Sequence, residues 1–184
     1  ESDSDEPITT DDVDSRWSLG NTLTHDGLSR TYALYVPTTG TPSGLVVALH
    51  GSGDSSEIMI SLISAEGPAD ANAFVVAVPE GVNNGWNDED PPGNGLADDV
   101  GFIDALITQL KASYPSVLDH RIFAYGFSNG GGLATRLACE SEHIRGIGVI
   151  GNYFIATDCV QAENTPRIPG WFGAGVNDEL VPVS

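Results

Sequence analysis

Positive charge is what this sequence has least of. Lys111 is its one lysine, and with six arginines it faces 26 acidic residues, for a net charge of −19. That balance repels polyanions and argues against nucleic acid or an anionic membrane as partner. A solubilising acidic shell accounts for it. No apolar run approaches the roughly 20 residues that a membrane-spanning helix needs. Cysteine is nearly absent too. Cys139 and Cys159 each lack a second Cys or a His at ligand spacing, which argues against a zinc site. Two readings of the pair stay open: one disulfide in an exported protein, or two buried thiols in a cytosolic one. A disulfide there would add about 3 kcal/mol by closing its loop. Core material is present in ordinary amounts, 40% apolar and 8% aromatic, enough for one globular domain in 184 residues.

Residues 1–15 read as a flexible acidic leader, since "ESDSDEPITTDDVD" holds seven acids and no base. The chain starts at Glu1 without a methionine, which fits removal of a signal peptide or simple trimming. Residues 16–184 are expected to form the folded domain.

That domain opens with two β-rich runs around His25-Asp26-Gly27, a hairpin signal. Short unalternating apolar runs follow at Leu45–Leu49, Phe74–Val78, Ile122–Tyr125 and Ile147–Ile150. Such runs suit strands buried on both faces of a parallel sheet. Helical patterns lie between them. One covers "SSEIMISLISAEGPADANA"; a second puts Val100, Ile103, Leu106, Ile107 and Leu110 on one stripe behind Asp98 or Asp99 as N-cap; a third carries Leu133 and Leu137. A hairpin followed by alternating strands and helices predicts a three-layer α/β sandwich with a mostly parallel sheet.

Three motifs carry chemistry. "RIFAYGFSNGGG" feeds Ser128 from a buried strand into a helix, with Gly126 and Gly130 relieving the crowding of a turn that drives Ser128 toward φ > 0. The expectation is a nucleophile raised above the sheet; the alternative is a serine of a glycine-rich loop. "LHGSGDS" follows the first core strand and fits a loop whose Ser52 amide, with that of Asn129, would hold an oxyanion. A plain strand-ending turn is its alternative, and His50 would shape this loop without acting as base. Asp178, in "GVNDELVPV" after the late strand "IPGWFGAG", stands where a triad acid would follow the serine in chain order, or is a turn residue. The acidic loop Asp88–Asp90 with Asp98 and Asp99 lacks regular Ca²⁺ spacing and reads as a solvated loop with a helix cap. No metal or organic cofactor is expected.

Taken as a set, "LVVALHGSGDS", "FVVAVPEGVNNGWN", "DDVGFIDALI", "IFAYGFSNGGGLATRLACE" and "GVNDELVP" resemble the secreted polyhydroxybutyrate-depolymerase-like and feruloyl-esterase group of α/β-hydrolases, from about Arg30 to Pro182. The resemblance implies carboxylic-ester hydrolysis with Ser128 as nucleophile and Asp178 as acid. It also implies a Cys139–Cys159 pair and a "GWN" loop bordering the substrate cleft. Trp86 would then stack on an aromatic or sugar-linked acyl group, with core packing as the alternative.

One part of that pattern is missing. A triad histidine belongs after Asp178, where only "ELVPVS" follows. His25 lies on the hairpin, His50 in the oxyanion loop, His120 at the far end of the serine's strand, and His143 beyond the helix that follows it. Without a base near Ser128 the hydroxyl keeps its proton. The chain also stops without the closing strand and helix of this fold. It is therefore expected to be the larger part of an enzyme whose histidine comes from a further C-terminal segment or a second chain. The alternatives are a non-catalytic binding protein on the same fold and an acyltransferase.

Overall fold

The computed structural model describes residues 16–88, 97–152 and 168–174. The acidic leader, Cys159 and Asp178 fall outside the described residues. The hairpin forms as expected: β1 (Trp17–His25) and β2 (Leu28–Tyr35) pair antiparallel through a turn with Asp26 and Gly27 at φ 47° and 76°. Two left-handed residues match the twist of the flanking strands, which is why Asp-Gly suits this turn.

The apolar runs become β3 (Gly44–Leu49), β4 (Phe74–Pro79), β5 (Ile122–Phe127) and β6 (Ile147–Ile150), with β7 (Gly170–Gly173) beside β6. The seven-stranded sheet has the order β1-β2-β4-β3-β5-β6-β7. It is parallel from β4 to β7 and antiparallel at β1/β2 and β2/β4. Alternate residues of β3 explain why its run is unbroken: Leu45, Val47 and Leu49 enter one core, Val46 and Ala48 the other.

α3 (Asp99–Ser113) and α4 (Asn129–Glu140) cover the first face through Phe102, Ile103, Leu106, Leu133 and Leu137, all fully buried. The opposite face carries two helices where the periodicity predicts one. α1 (Ser56–Ile63) ends at Ser64 in the left-handed conformation, and α2 (Glu66–Asn72) starts afresh. Pro68 gives the physical reason. In an unbroken helix its ring would collide with the carbonyl of Ser64, so it is tolerated only in the first turn of a new one. Among the described residues these two helices leave an apolar trough along Phe123, Tyr125, Gly148 and Trp171.

From β3 the chain crosses to β4 on one side, and α3 then carries it to β5 on the other. The carboxyl ends of β3 and β5 therefore flank a topological switch point, where open α/β sheets place their ligands.

Asp98 is the N-cap of α3: its Oδ1 accepts from the Gly101 amide at 3.0 Å, and its Oδ2 pairs with His25 Nε2 at 2.9 Å. The His25 hydrogen bond, with help from the Gly101 amide, holds the Asp98 carboxyl below its usual value. A lowered folded pKa means that the stabilisation is complete above the unfolded value of about 3.9 and is lost as pH falls through the folded one. Asp98→Ala is expected to cost about 1 kcal/mol at pH 7. In urea titrations the gap to wild type should narrow only below about pH 4.

Candidate active site

At the end of β5 the chain turns sharply into α4, and Ser128 sits on the corner at φ 50°, ψ −120°. A non-glycine residue there is strained, and such strain persists only where the surroundings over-determine it. Here they do. The Ser128 amide donates to Ile150 O at 2.8 Å, and its carbonyl accepts from Gly132 N and from Asn152 Nδ2. Its side chain makes no capping hydrogen bond to the helix, so the hydroxyl is left uncommitted to α4.

The glycines on either side are required by close approach. A Cβ on Gly126 would stand 2.2 Å from Gly130 O, and one on Gly130 would stand 2.4 Å from Leu49 O and 2.5 Å from His50 O. The first turn of α4 therefore rests on the carbonyls that end β3. Leu49 pairs with Gly126 across the sheet, so the loop after β3 and the turn after β5 leave the sheet side by side.

That loop is the "HGSGD" segment. Gly53 is at φ 84°, and Gly51 lies against the Phe127 ring. The Ser52 amide has no hydrogen-bond partner among the described residues, and the Asn129 amide, at the first position of α4, has none within its helix. Neither amide has a hydrogen-bond partner among the described residues.

His50 is fully buried. Its Nε2 accepts from Gly81 N at 3.0 Å, and its Nδ1 lies 2.7 Å from Gly51 O, so the tautomer with the proton on Nδ1 satisfies both. Glu80 Oε2 is 3.5 Å from the same Nε2, but the shorter amide bond takes the lone pair. With both nitrogens committed, His50 shapes the loop. His25 is tied to Asp98. His120 precedes the amino end of β5, whose length of about 20 Å at 3.3 Å per residue separates it from Ser128. His143 lies past α4, whose length is about 18 Å at 1.5 Å per residue. None of the four serves the serine.

Trp86 departs from the stacking expectation. It is 5% exposed, its Nε1 donates to His50 O at 2.9 Å, its ring lies 4.9 Å from the His50 ring, and the Arg30 guanidinium stands 5.9 Å from its face. Its surface is spent on packing among the described residues, which fits the core alternative.

The side-chain contacts that tie the site together leave no trace in the sequence pattern. Asn129 Oδ1 accepts from Trp86 N at 2.7 Å, and its Nδ2 donates to Trp86 O at 3.0 Å. The buried Asp99 accepts from Arg30 at 2.8 Å and from Asn87 N at 2.7 Å. Arg136 Nη1 donates to Asn87 O at 2.6 Å. Among the described residues no group of acidic, His or Cys side chains could hold a metal ion.

A mostly parallel sheet with helices on both faces, a switch-point crevice and a strained serine turn facing a glycine loop are the features of the α/β-hydrolase fold. By fold the chain belongs to that class. No family model matches it. Its curated homologues include feruloyl esterase C of Emericella nidulans, 32% identical over 165 residues, covering 84% of this chain and 57% of that protein. A second, described as a probable feruloyl esterase C of Aspergillus niger, is 31% identical over 169 residues, 86% of this chain and 58% of that one. The chain thus spans under two thirds of the length of these relatives. Among solved structures, a cold-adapted esterase from an Arctic intertidal metagenomic library superposes with TM-score 0.70 at 14% identity, covering 92% of this chain and 77% of that one. A thermostable esterase gives 0.69 at 21% identity, over 90% and 48%.

The close approach at Gly130 generates a test. Gly130→Ala must push backbone against backbone and is expected to cost about 3 kcal/mol in urea unfolding. Gly67→Ala is the contrast: a Cβ there meets nothing within 4 Å, and a helical Gly→Ala change gains a few tenths of a kcal/mol, at most about 1.

Proposed function

We propose that this chain is the larger part of a secreted serine carboxylic-ester hydrolase. Its substrates would be feruloyl- or acetyl-type esters, or short polyester and acyl esters. The observation that carries the reading is Ser128: a non-glycine residue held at φ 50° on a strand-to-helix corner, beside a loop with an open amide. The curated relatives described as feruloyl esterases support the choice of ester.

In the proposed mechanism Ser128 Oγ attacks the ester carbonyl while an imidazole takes its proton. The carbonyl oxygen becomes an alkoxide and accepts from the Ser52 and Asn129 amides. Losing one such donor costs about 3 kcal/mol of transition-state stabilisation. The C–O bond to the alcohol then breaks, the imidazolium returns its proton to the leaving oxygen, and water releases the acid by the same path in reverse. Asp178 would orient the imidazole. Since His25 and His50 are committed to other partners and His120 and His143 lie at a distance, the base is assigned to sequence beyond residue 184 or to a second chain. The α4 dipole adds to the stabilisation, because its amino end points at the developing charge.

The domain is proposed to run from residue 16 behind an acidic leader, with Cys139 and Cys159 paired as suits an exported protein. No helix among the described residues is long and apolar enough to cross a membrane.

A fluorophosphonate probe applied to the complete protein is expected to label Ser128, located by peptide mass. Ser128→Ala should abolish labelling and lower the hydrolysis of methyl ferulate or p-nitrophenyl acetate about 10⁵-fold. Unchanged hydrolysis in that variant would refute the assignment. Product analysis with added alcohol separates hydrolysis from acyl transfer.

A further inference from the structure

The segment Gly81–Asn87 touches both sides of the crevice. Toward the loop after β3, Asn84 O accepts from Gly53 N at 2.7 Å, Asn84 Nδ2 donates to Asp54 O at 2.9 Å, and Trp86 Nε1 donates to His50 O at 2.9 Å. Toward the serine corner, both backbone groups of Trp86 are taken by the Asn129 side chain. The segment itself is stiff. Val82 and Gly85 bridge across a turn with Asn83 and Asn84 at φ 54° and 57°, and a Cβ on Gly81 would lie 2.3 Å from Gly85 O.

From this arrangement we infer that the Gly81–Asn87 turn is a brace that fixes the spacing of the two open amides, with the Asn84 side chain and the Trp86 indole N–H as positioning residues. The inference rests on the reading of Ser128 as nucleophile and of Ser52 and Asn129 as oxyanion donors. The backbone around Ser52 is held on both flanks, at His50 O before it and at Gly53 N and Asp54 O after it, while its own amide stays free. Asn129 is referenced to the same short turn through Trp86. Neither donor can therefore drift from the other without breaking a hydrogen bond to Gly81–Asn87. Donors fixed in advance act on the transition state, where the charge develops, and little on the bound ester. Loosening the brace should lower kcat and leave KM alone. A residue that only supported the fold would lower stability without that split.

The test uses the complete protein. Asn84→Gly keeps the left-handed backbone and removes the donor to Asp54 O. Trp86→Phe keeps a ring against His50 and removes the donor to His50 O. Asn83→Gly is the control, in the same turn at nearly the same φ, with no hydrogen bond from its side chain among the described residues. We expect kcat to fall about tenfold in each of the first two, as part of the 10²–10³-fold worth of a whole donor, with KM within twofold. An aryl trifluoromethyl ketone, which adds to the serine and places an oxyanion at the donors, should weaken by the same factor as kcat/KM. Asn83→Gly should match wild type in all three. The brace is overturned if Asn84→Gly and Trp86→Phe keep kcat within twofold, or raise KM at constant kcat, while Ser128→Ala is inactive. Activity that survives Ser128→Ala overturns the nucleophile and the brace together.

Discussion

The contact of Gly130 with the carbonyls of Leu49 and His50 is the constraint from which the site follows. It brings the first turn of α4 so near the end of β3 that a Cβ on Gly130 would stand 2.4 Å from Leu49 O, closer than any side chain permits. Once that approach is fixed, the strand-to-helix turn must be abrupt, and Ser128 is driven into a left-handed backbone that serine does not choose. The strain is local, but its supports are distant: Ile150 at the end of β6, and Asn152 just after it. The serine's conformation is thus a property of three parallel strands ending together.

The same approach constrains the glycine loop. A loop that lies on a helix terminus has few ways to satisfy its own backbone. Here Gly53, Asp54 and His50 find partners in the Gly81–Asn87 segment, while the Ser52 amide has none among the described residues. An open N–H beside a helix amino end is a place where negative charge is favoured. What stays open at this corner is decided by which groups packing has not claimed.

How far this was legible in the sequence depends on the kind of signal. Strands buried on both faces write themselves as unbroken apolar runs, so β3 to β6 were readable to within two residues at each end. Asp-Gly announced the hairpin, and the spacing of Gly126, Ser128 and Gly130 announced the corner. The break between α1 and α2 was legible in principle, because Pro68 forbids a continuous helix, but the apolar spacing before it outweighed the one residue that decides. Trp86 misled for a different reason. A tryptophan in a polar loop looks like a ligand platform, and only the tertiary structure shows His50 and Arg30 against its faces. Long-range side-chain pairs such as Asn129 with Trp86 leave no periodic trace. They join segments 43 positions apart through single residues that propensity and pattern treat as ordinary.

The buried Arg30–Asp99 pair belongs to the same logic. Ionic groups this deep lose their hydration, and an apolar pair of equal volume often serves stability as well or better. Here an apolar pair would leave other groups stranded, since Asp99 also accepts from Asn87 N and Arg30 also donates to Glu80 O. Those two backbone groups stand just outside and just at the end of the Gly81–Asn87 segment, which has only the isolated Val82–Gly85 bridge in place of a strand ladder. A loop without a ladder must borrow its partners from side chains, and a charged side chain makes the stronger and more directional bond. The pair is therefore best understood as the anchor of a loop whose position matters more than the stability it yields. Arg136 reaches Asn87 O from α4 to the same end, so the helix that carries Ser128 grips the loop at both Trp86 and Asn87.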